Sequence, residues 1–180
     1  MTTQYYTATS LDGYIADPDN SLSWLFAVAD ADSATDDIGV FLSGVVAMCM
    51  GATTYEWMIA NESPEYWHEN YGDRPCWVFT HRKLPAIPGA NLRFVSGEVE
   101  PVYKLMAEAA GERNIWIVGG GELAGQFADA GLLDEVIVGI TPVTLGGGAP
   151  LLPRRILSDR MTLVGVERMG QFAQLTYRLR

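Results

Sequence analysis

Residues 114–123 constrain this chain more than any other part of it. Ile115, Trp116, Ile117 and Val118 form an unbroken apolar run, and Gly119, Gly120 and Gly121 follow at once, before Glu122 and Leu123 open a helical pattern. An apolar run without polar alternation is a strand buried on both faces, which in a soluble fold means a central strand of a parallel sheet with helices on either side. Glycine lets the backbone turn sharply from such a strand onto a helix. Parallel strands need crossover connections, so the rest of the chain must alternate strands with helices.

The remaining segments supply that alternation. Residues 4–9 and 14–16 read as an extended opening broken at Asp12-Gly13, and residues 45–50, 75–80, 92–95 and 135–141 read as further strands, with Pro75 expected at the edge of its strand. A helix is expected from Ser33 as N-cap to about residue 42, with Asp36 and Asp37 near its positive end. A second begins near Thr53 and carries a capping box with Glu56. Pro101 sits in the first turn of a third, to about residue 110, and Gly131 closes a fourth over about 122–130. Residues 62–74 show no clean period and read as a surface excursion; residues 142–153 read as a Gly- and Pro-rich loop. Residues 162–168 and 172–178 flank the turn at Met169-Gly170 and form an antiparallel hairpin. The expected architecture is one α/β domain over residues 1–180, with three layers and a mostly parallel central sheet closed by that hairpin.

Composition narrows the partners. A formal net charge of -10 sets the surface against nucleic acid, although backbone amides and one or two basic side chains can still hold a phosphate-bearing small molecule. The first fifteen residues contain no Lys or Arg and no apolar stretch of secretory length, and no run approaches the roughly 20 residues that span a bilayer, so a cytoplasmic protein without a membrane partner is expected. Cys49 and Cys76 lie in apolar strand-like segments and read as buried free thiols; with His68 and His81 as the only histidines, no metal site is expected.

Three segments have the chemistry of an anion site. Residues 118–123 bring glycines to a helix start, where unpaired amides and the helix dipole favour a pyrophosphate; the alternative is a tight turn that binds nothing. Gly51, Thr53 and Thr54 repeat the arrangement after residues 45–50, and two such sites can bracket one dinucleotide. Thr80, His81, Arg82 and Lys83 form the densest basic cluster of an acidic chain, at the carboxyl end of a strand, where a guanidinium can hold a ribose phosphate; the alternative is a solvated surface cluster.

These segments in this order, with Ser10-Leu11-Asp12-Gly13 near the amino end, resemble the dihydrofolate reductase superfamily. The stretch from Thr141-Pro142-Val143 through Gly146-Gly147-Gly148-Ala149-Pro150 and the closing hairpin resemble most closely the reductase half of the bifunctional riboflavin deaminase-reductase. The resemblance implies a reductase that binds NADPH and transfers hydride to a small heterocyclic or ribosylamino substrate. Gly51, Thr53, Thr54, Thr80, His81 and Arg82 would hold one end of the cofactor; Val118, Gly119, Gly120, Gly121, Glu122 and Leu123 would lie at the pyrophosphate; Ala8 and Ile15 would flank the nicotinamide. It also implies a cis peptide between Gly119 and Gly120 and a homodimer. A substrate is expected between Asp12, Tyr14 and Trp24 on one side and Leu145, Gly146 and Gly147 on the other; the alternatives are Asp12 as a turn former, Tyr14 and Trp24 as core and the glycines as a loop.

Departures from the family pattern are also present. Ala52 stands where relatives often carry Arg, which leaves NADH open beside NADPH. No catalytic residue is assigned, since Asp30, Asp32, Asp36 and Asp37 do not align securely with the acid of folate reductases. Neither His-x-Glu nor Pro-Cys-x-x-Cys occurs, so the deaminase chemistry has no zinc signature here. A dinucleotide-binding module without turnover and a structural subunit of a homo-oligomer are the competing readings.

Overall fold

The computed structural model describes residues 1–29 and 32–180, with the backbone alone described for residues 32–37. In chain order its elements are β1 (Thr3–Thr9), β2 (Tyr14–Ala16), α1 (Ser23–Phe26), α2 (Asp32–Gly44), β3 (Val45–Gly51), α3 (Ala52–Asn61), α4 (Pro64–Tyr71) and β4 (Cys76–Phe79). There follow β5 (Leu92–Val95), α5 (Val99–Ala110), β6 (Asn114–Gly119), α6 (Gly121–Asp129), β7 (Glu135–Ile140), β8 (Ala149–Pro150), β9 (Met161–Met169) and β10 (Phe172–Leu179).

Eight strands form one sheet in the order β5-β4-β3-β6-β1-β7-β10-β9. The first six are parallel to their neighbours; β10 joins β7 antiparallel and pairs with β9 as the closing hairpin. β6 lies between β3 and β1, and its alternate side chains enter different cores, as an apolar run without a polar face requires. Tyr5, Ile115, Ile117 and Val136 pack under α5 and α6 with Met106 and Phe127. Tyr6, Met48, Met50, Trp116 and Ile137 pack on the other face with Leu42 of α2, Tyr55 and Met58 of α3, and Trp67 of α4. Each large apolar side chain so buried contributes about 1.5–3 kcal/mol. Cys49 and Cys76 are buried free thiols, and no helix among the described residues is long and apolar enough to cross a membrane.

Three expectations are corrected. Residues 62–74 contain α4, which starts with Pro64 after Ser63, whose hydroxyl oxygen accepts the Tyr66 N–H at 3.1 Å. Trp67 is its only buried residue, so it has no apolar stripe to betray a helix. In α3 the cap is Gly51, not Thr53: the strand runs directly into a helix at Ala52, the cap has no side-chain bond, and Glu56 reaches Arg82 instead of closing a capping box. Pro75 lies at the edge of its strand, as expected: β4 begins at Cys76, so the missing N–H is not needed, while the Pro75 carbonyl accepts the Met48 N–H at 3.0 Å. Residues 142–153 are not all loop, because β8 pairs with β2 through Ala16 and Ala149. Gly148 makes that approach possible: a Cβ there would collide with the Ala16 carbonyl.

The backbone of α2 extends to Gly44, two residues beyond the expected end. The expected roles of Ser33, Asp36 and Asp37 fall on side chains outside the described residues. Arg74 gathers the ends of three elements, donating to the carbonyls of Leu42, Val45 and Tyr71, each at 2.9 Å.

Candidate active site

A cleft of about 1370 Å³ opens at the carboxyl ends of β3, β4 and β6 and continues along β1 toward β10. Its geometry follows from adjacent strands ending in glycine. Gly51 ends β3 and Gly119 ends β6, and the helices α3 and α6 start immediately beyond them. A Cβ on Gly51 would stand 3.8 Å from both the Gly119 oxygen and the Gly120 nitrogen, so the two helix starts lie side by side. A cis peptide joins Gly119 to Gly120, as the resemblance implies. Gly121 is buried beneath the β8 segment, where a Cβ would strike the carbonyls of Pro150 and Leu151. That segment is held down by the Tyr5 hydroxyl, which donates to the Leu151 carbonyl at 3.0 Å.

Ala8, Ile15, Gly51, Thr53, Thr54, Thr80, His81, Val118, Gly119, Gly120, Gly121, Glu122 and Leu123 all line this cleft. Arg82 is not in its wall; its guanidinium pairs with Glu56 at 2.8 Å, beside the turn in which the Thr80 hydroxyl accepts the Arg82 N–H. Glu122 would oppose an anion at the start of α6, but Arg154 grips it with two bonds of 2.7 and 2.9 Å and reaches Asp129 at 2.6 Å. The Arg154 hydrogen bond holds the Glu122 carboxyl below its ordinary range, and the same partners raise Arg154. The acid is neutralised where the positive end of the helix faces the cleft.

Asp12, Tyr14, Trp24, Leu145, Gly146 and Gly147 lie outside the wall. The Asp12 carboxylate is an internal fastener: it accepts the Ser10 hydroxyl at 2.6 Å and the amides of Leu145 and Gly146 at 3.0 and 2.7 Å. The Ser10 bond, followed by those to Leu145 and Gly146, lowers it to about 2.

The far half of the cleft holds residues that sequence reasoning missed. Tyr6, Phe26, Trp57, Tyr66, Tyr71 and Trp116 line it, with Glu62 and Gln174. The Tyr6 hydroxyl donates to Gln174 at 2.9 Å, and the Trp116 indole N–H donates to the Tyr6 carbonyl at 3.1 Å. Tyr71 and Trp116 have ring centroids 6.2 Å apart, and Phe26 stacks on Trp57 at 6.1 Å. Trp57 was findable, since it follows Thr53 and Thr54 by four and three residues on one helix face. Tyr66 and Tyr71 were hidden with α4.

The sequence profile of the RibD C-terminal domain matches residues 61–175, more than half of the chain. The chain belongs to the RibD C-terminal domain family. This RibD C-terminal domain is 32% identical over 176 residues to the uncharacterized protein YwjB of Bacillus subtilis (strain 168), covering 97% of this chain and 96% of that protein. Among solved structures it is similar to a putative riboflavin biosynthesis protein from Shewanella sp. PV-4, with a TM-score of 0.77 at 25% identity over 100% of this chain and 99% of that one. Its fold is also that of Enterococcus faecalis dihydrofolate reductase solved with NADP(H), with a TM-score of 0.63 at 16% identity over 99% and 96% of the two chains. The RibD C-terminal domain thus has the dihydrofolate reductase-like fold, with the paired helix starts at the centre of its cleft.

Proposed function

We propose that this chain is an NADPH-dependent reductase that transfers hydride to a small-molecule substrate, with NADH as the weaker alternative donor. The observation that carries this reading is the cradle at Gly51, Gly119 and Gly120, which side chains would fill and which places two helix starts against one space. The amides at the starts of α3 and α6 would hold the pyrophosphate, with the hydroxyls of Thr53 and Thr54 beside them. Arg82 and His81 would hold the adenosine-side phosphate, the role that Ala52 cannot fill. Ala8 and Ile15 would fix the face of the nicotinamide. When bound, the cofactor supplies the hydride from its C4 carbon; the chain supplies orientation and exclusion of water. The active unit in this reading is a homodimer.

Trp57 and Trp116 line the cleft, so titration with NADPH and with NADH is followed by quenching of tryptophan fluorescence. Saturation at micromolar NADPH is the expected result. Binding of neither dinucleotide below millimolar concentration overturns the reading, and binding without oxidation of NADPH in the presence of any reducible heterocycle favours a binding module.

A further inference from the structure

We propose that the far half of the cleft takes a planar heteroaromatic substrate that carries no phosphate and is neutral or positively charged. This rests on the cofactor reading above, which leaves that half for the substrate. Two independent observations lead to it. The first is the wall itself, where Tyr6, Phe26, Trp57, Tyr66, Tyr71 and Trp116 line one space. Such surfaces stack on flat π-systems and attract cations.

The second is charge. The first 73 residues contain twelve carboxylates and no lysine or arginine; all twelve basic residues lie from Arg74 onward, against ten carboxylates. The far half takes Tyr6, Phe26, Trp57, Glu62, Tyr66 and Tyr71 from the acidic stretch and is completed by Trp116, Met169, Phe172 and Gln174. No lysine or arginine lines the cleft among the described residues. Residues 30–37 cannot supply one, because they read Asp-Ala-Asp-Ser-Ala-Thr-Asp-Asp.

The helix starts of this half are equally unsuited to an anion. α4 is capped by Ser63 and flanked by Glu62 and Glu65, and α2 begins in the aspartate-rich stretch. Glu62 lines the cleft with no ion-pair partner among the described residues, placed to accept from N–H groups or to face a positive charge. A phosphorylated substrate would enter this half against the charge of Glu62, with no donor fork among the described residues to receive it.

Riboflavin and its 5′-phosphate test the point, because they share one ring system and differ by the phosphate. Both are titrated by quenching of flavin fluorescence, into the protein alone and into protein saturated with NADP+, which blocks the dinucleotide half without allowing turnover. In the NADP+-loaded protein, riboflavin is expected to bind at least about tenfold more tightly than its phosphate. Glu62→Lys is expected to shrink that ratio to below about threefold by strengthening the phosphate ester. Equal or tighter binding of the phosphate by the unmodified protein overturns the proposal, as does failure of riboflavin to bind below millimolar concentration. If NADP+ does not bind while the flavin ratio holds, the cofactor reading fails and the phosphate discrimination stands; NADP+ binding with no discrimination sinks this inference alone.

Discussion

At the scale of single residues, two charged groups near the cleft have opposite meanings. The Arg82–Glu56 pair has side chains 56% and 37% exposed, and such pairs contribute little to stability, so the guanidinium is free to exchange its partner for a phosphate. Arg82→Ala is expected to weaken NADPH by about tenfold and to leave NADH within about twofold, measured by fluorescence titration. Equal losses for both would take Arg82 out of the phosphate site. Asp12, by contrast, is spent on structure. Its acidity is raised by the Ser10 hydroxyl and the Leu145 and Gly146 amides, which bind the ionised form. Because its value in the fold, about 2, lies below the ordinary 3.8, its contribution to stability is present above about pH 4 and is lost as the pH falls toward 2. The amide resonances of Leu145 and Gly146 are expected to titrate with a midpoint near 2 in the native chain, and that titration is expected to vanish in Asp12→Asn. A midpoint at the ordinary carboxylate value would show that the three bonds do not form in solution.

At the scale of elements, the same residue type does two jobs at the two helix starts, and substitution separates them. Gly121 is in contact with the β8 segment, and a methyl there must displace the backbone carbonyls of Pro150 and Leu151. Gly121→Ala is therefore expected to destabilise the fold by about 1–3 kcal/mol, read as a lowered Tm. Gly51 has an ordinary negative φ of -80 and room for a methyl, the nearest atoms lying 3.8 Å from it. Gly51→Ala is expected to keep the Tm within about 2 °C and still lose NADPH affinity, since the methyl occupies the cradle. Unchanged affinity would mean that no anion approaches the backbone at Gly51.

These elements also mark how far the sequence could be read. β6, its glycines and α6 were legible because an apolar run followed by glycines and a helical pattern gives a buried strand, a sharp turn and a helix start whether or not the turn binds an anion, and their order supported the parallel sheet. α4 was not legible, since a helix with Trp67 alone buried leaves no period. The glycine-lined half of the cleft followed from local patterns at strand ends. The aromatic half did not, because Tyr6, Trp57, Tyr71 and Trp116 come together only through the order of strands in the sheet, which no local pattern encodes. Asp12 and Leu145, expected on opposite sides of a substrate, are instead joined by a direct hydrogen bond, because which way the carboxylate points depended on amides more than a hundred residues away.

At the scale of the whole molecule, the sheet ends asymmetrically. One edge is the short β5, of four residues; the other is β9, of nine, with Leu163, Val164 and Val166 exposed by 50%, 46% and 64%. A long edge strand with apolar side chains in water invites pairing, and solitary proteins blunt such edges with charge or proline. β9 carries charge only at Glu167 and Arg168, near its end. A second copy related by a two-fold axis presents the same edge and satisfies both at once, so the homodimer proposed above is assigned to β9. Light scattering is expected to give twice the 19.7 kDa chain mass, and Val166→Asp to give the single-chain mass, because facing carboxylates would meet across the axis. The cleft reaches β9 only through Met169, so this variant is expected to bind NADPH as the native protein does. A native protein of single-chain mass at tens of micromolar would rule out the dimer, and a Val166→Asp variant that remained dimeric would move the interface elsewhere.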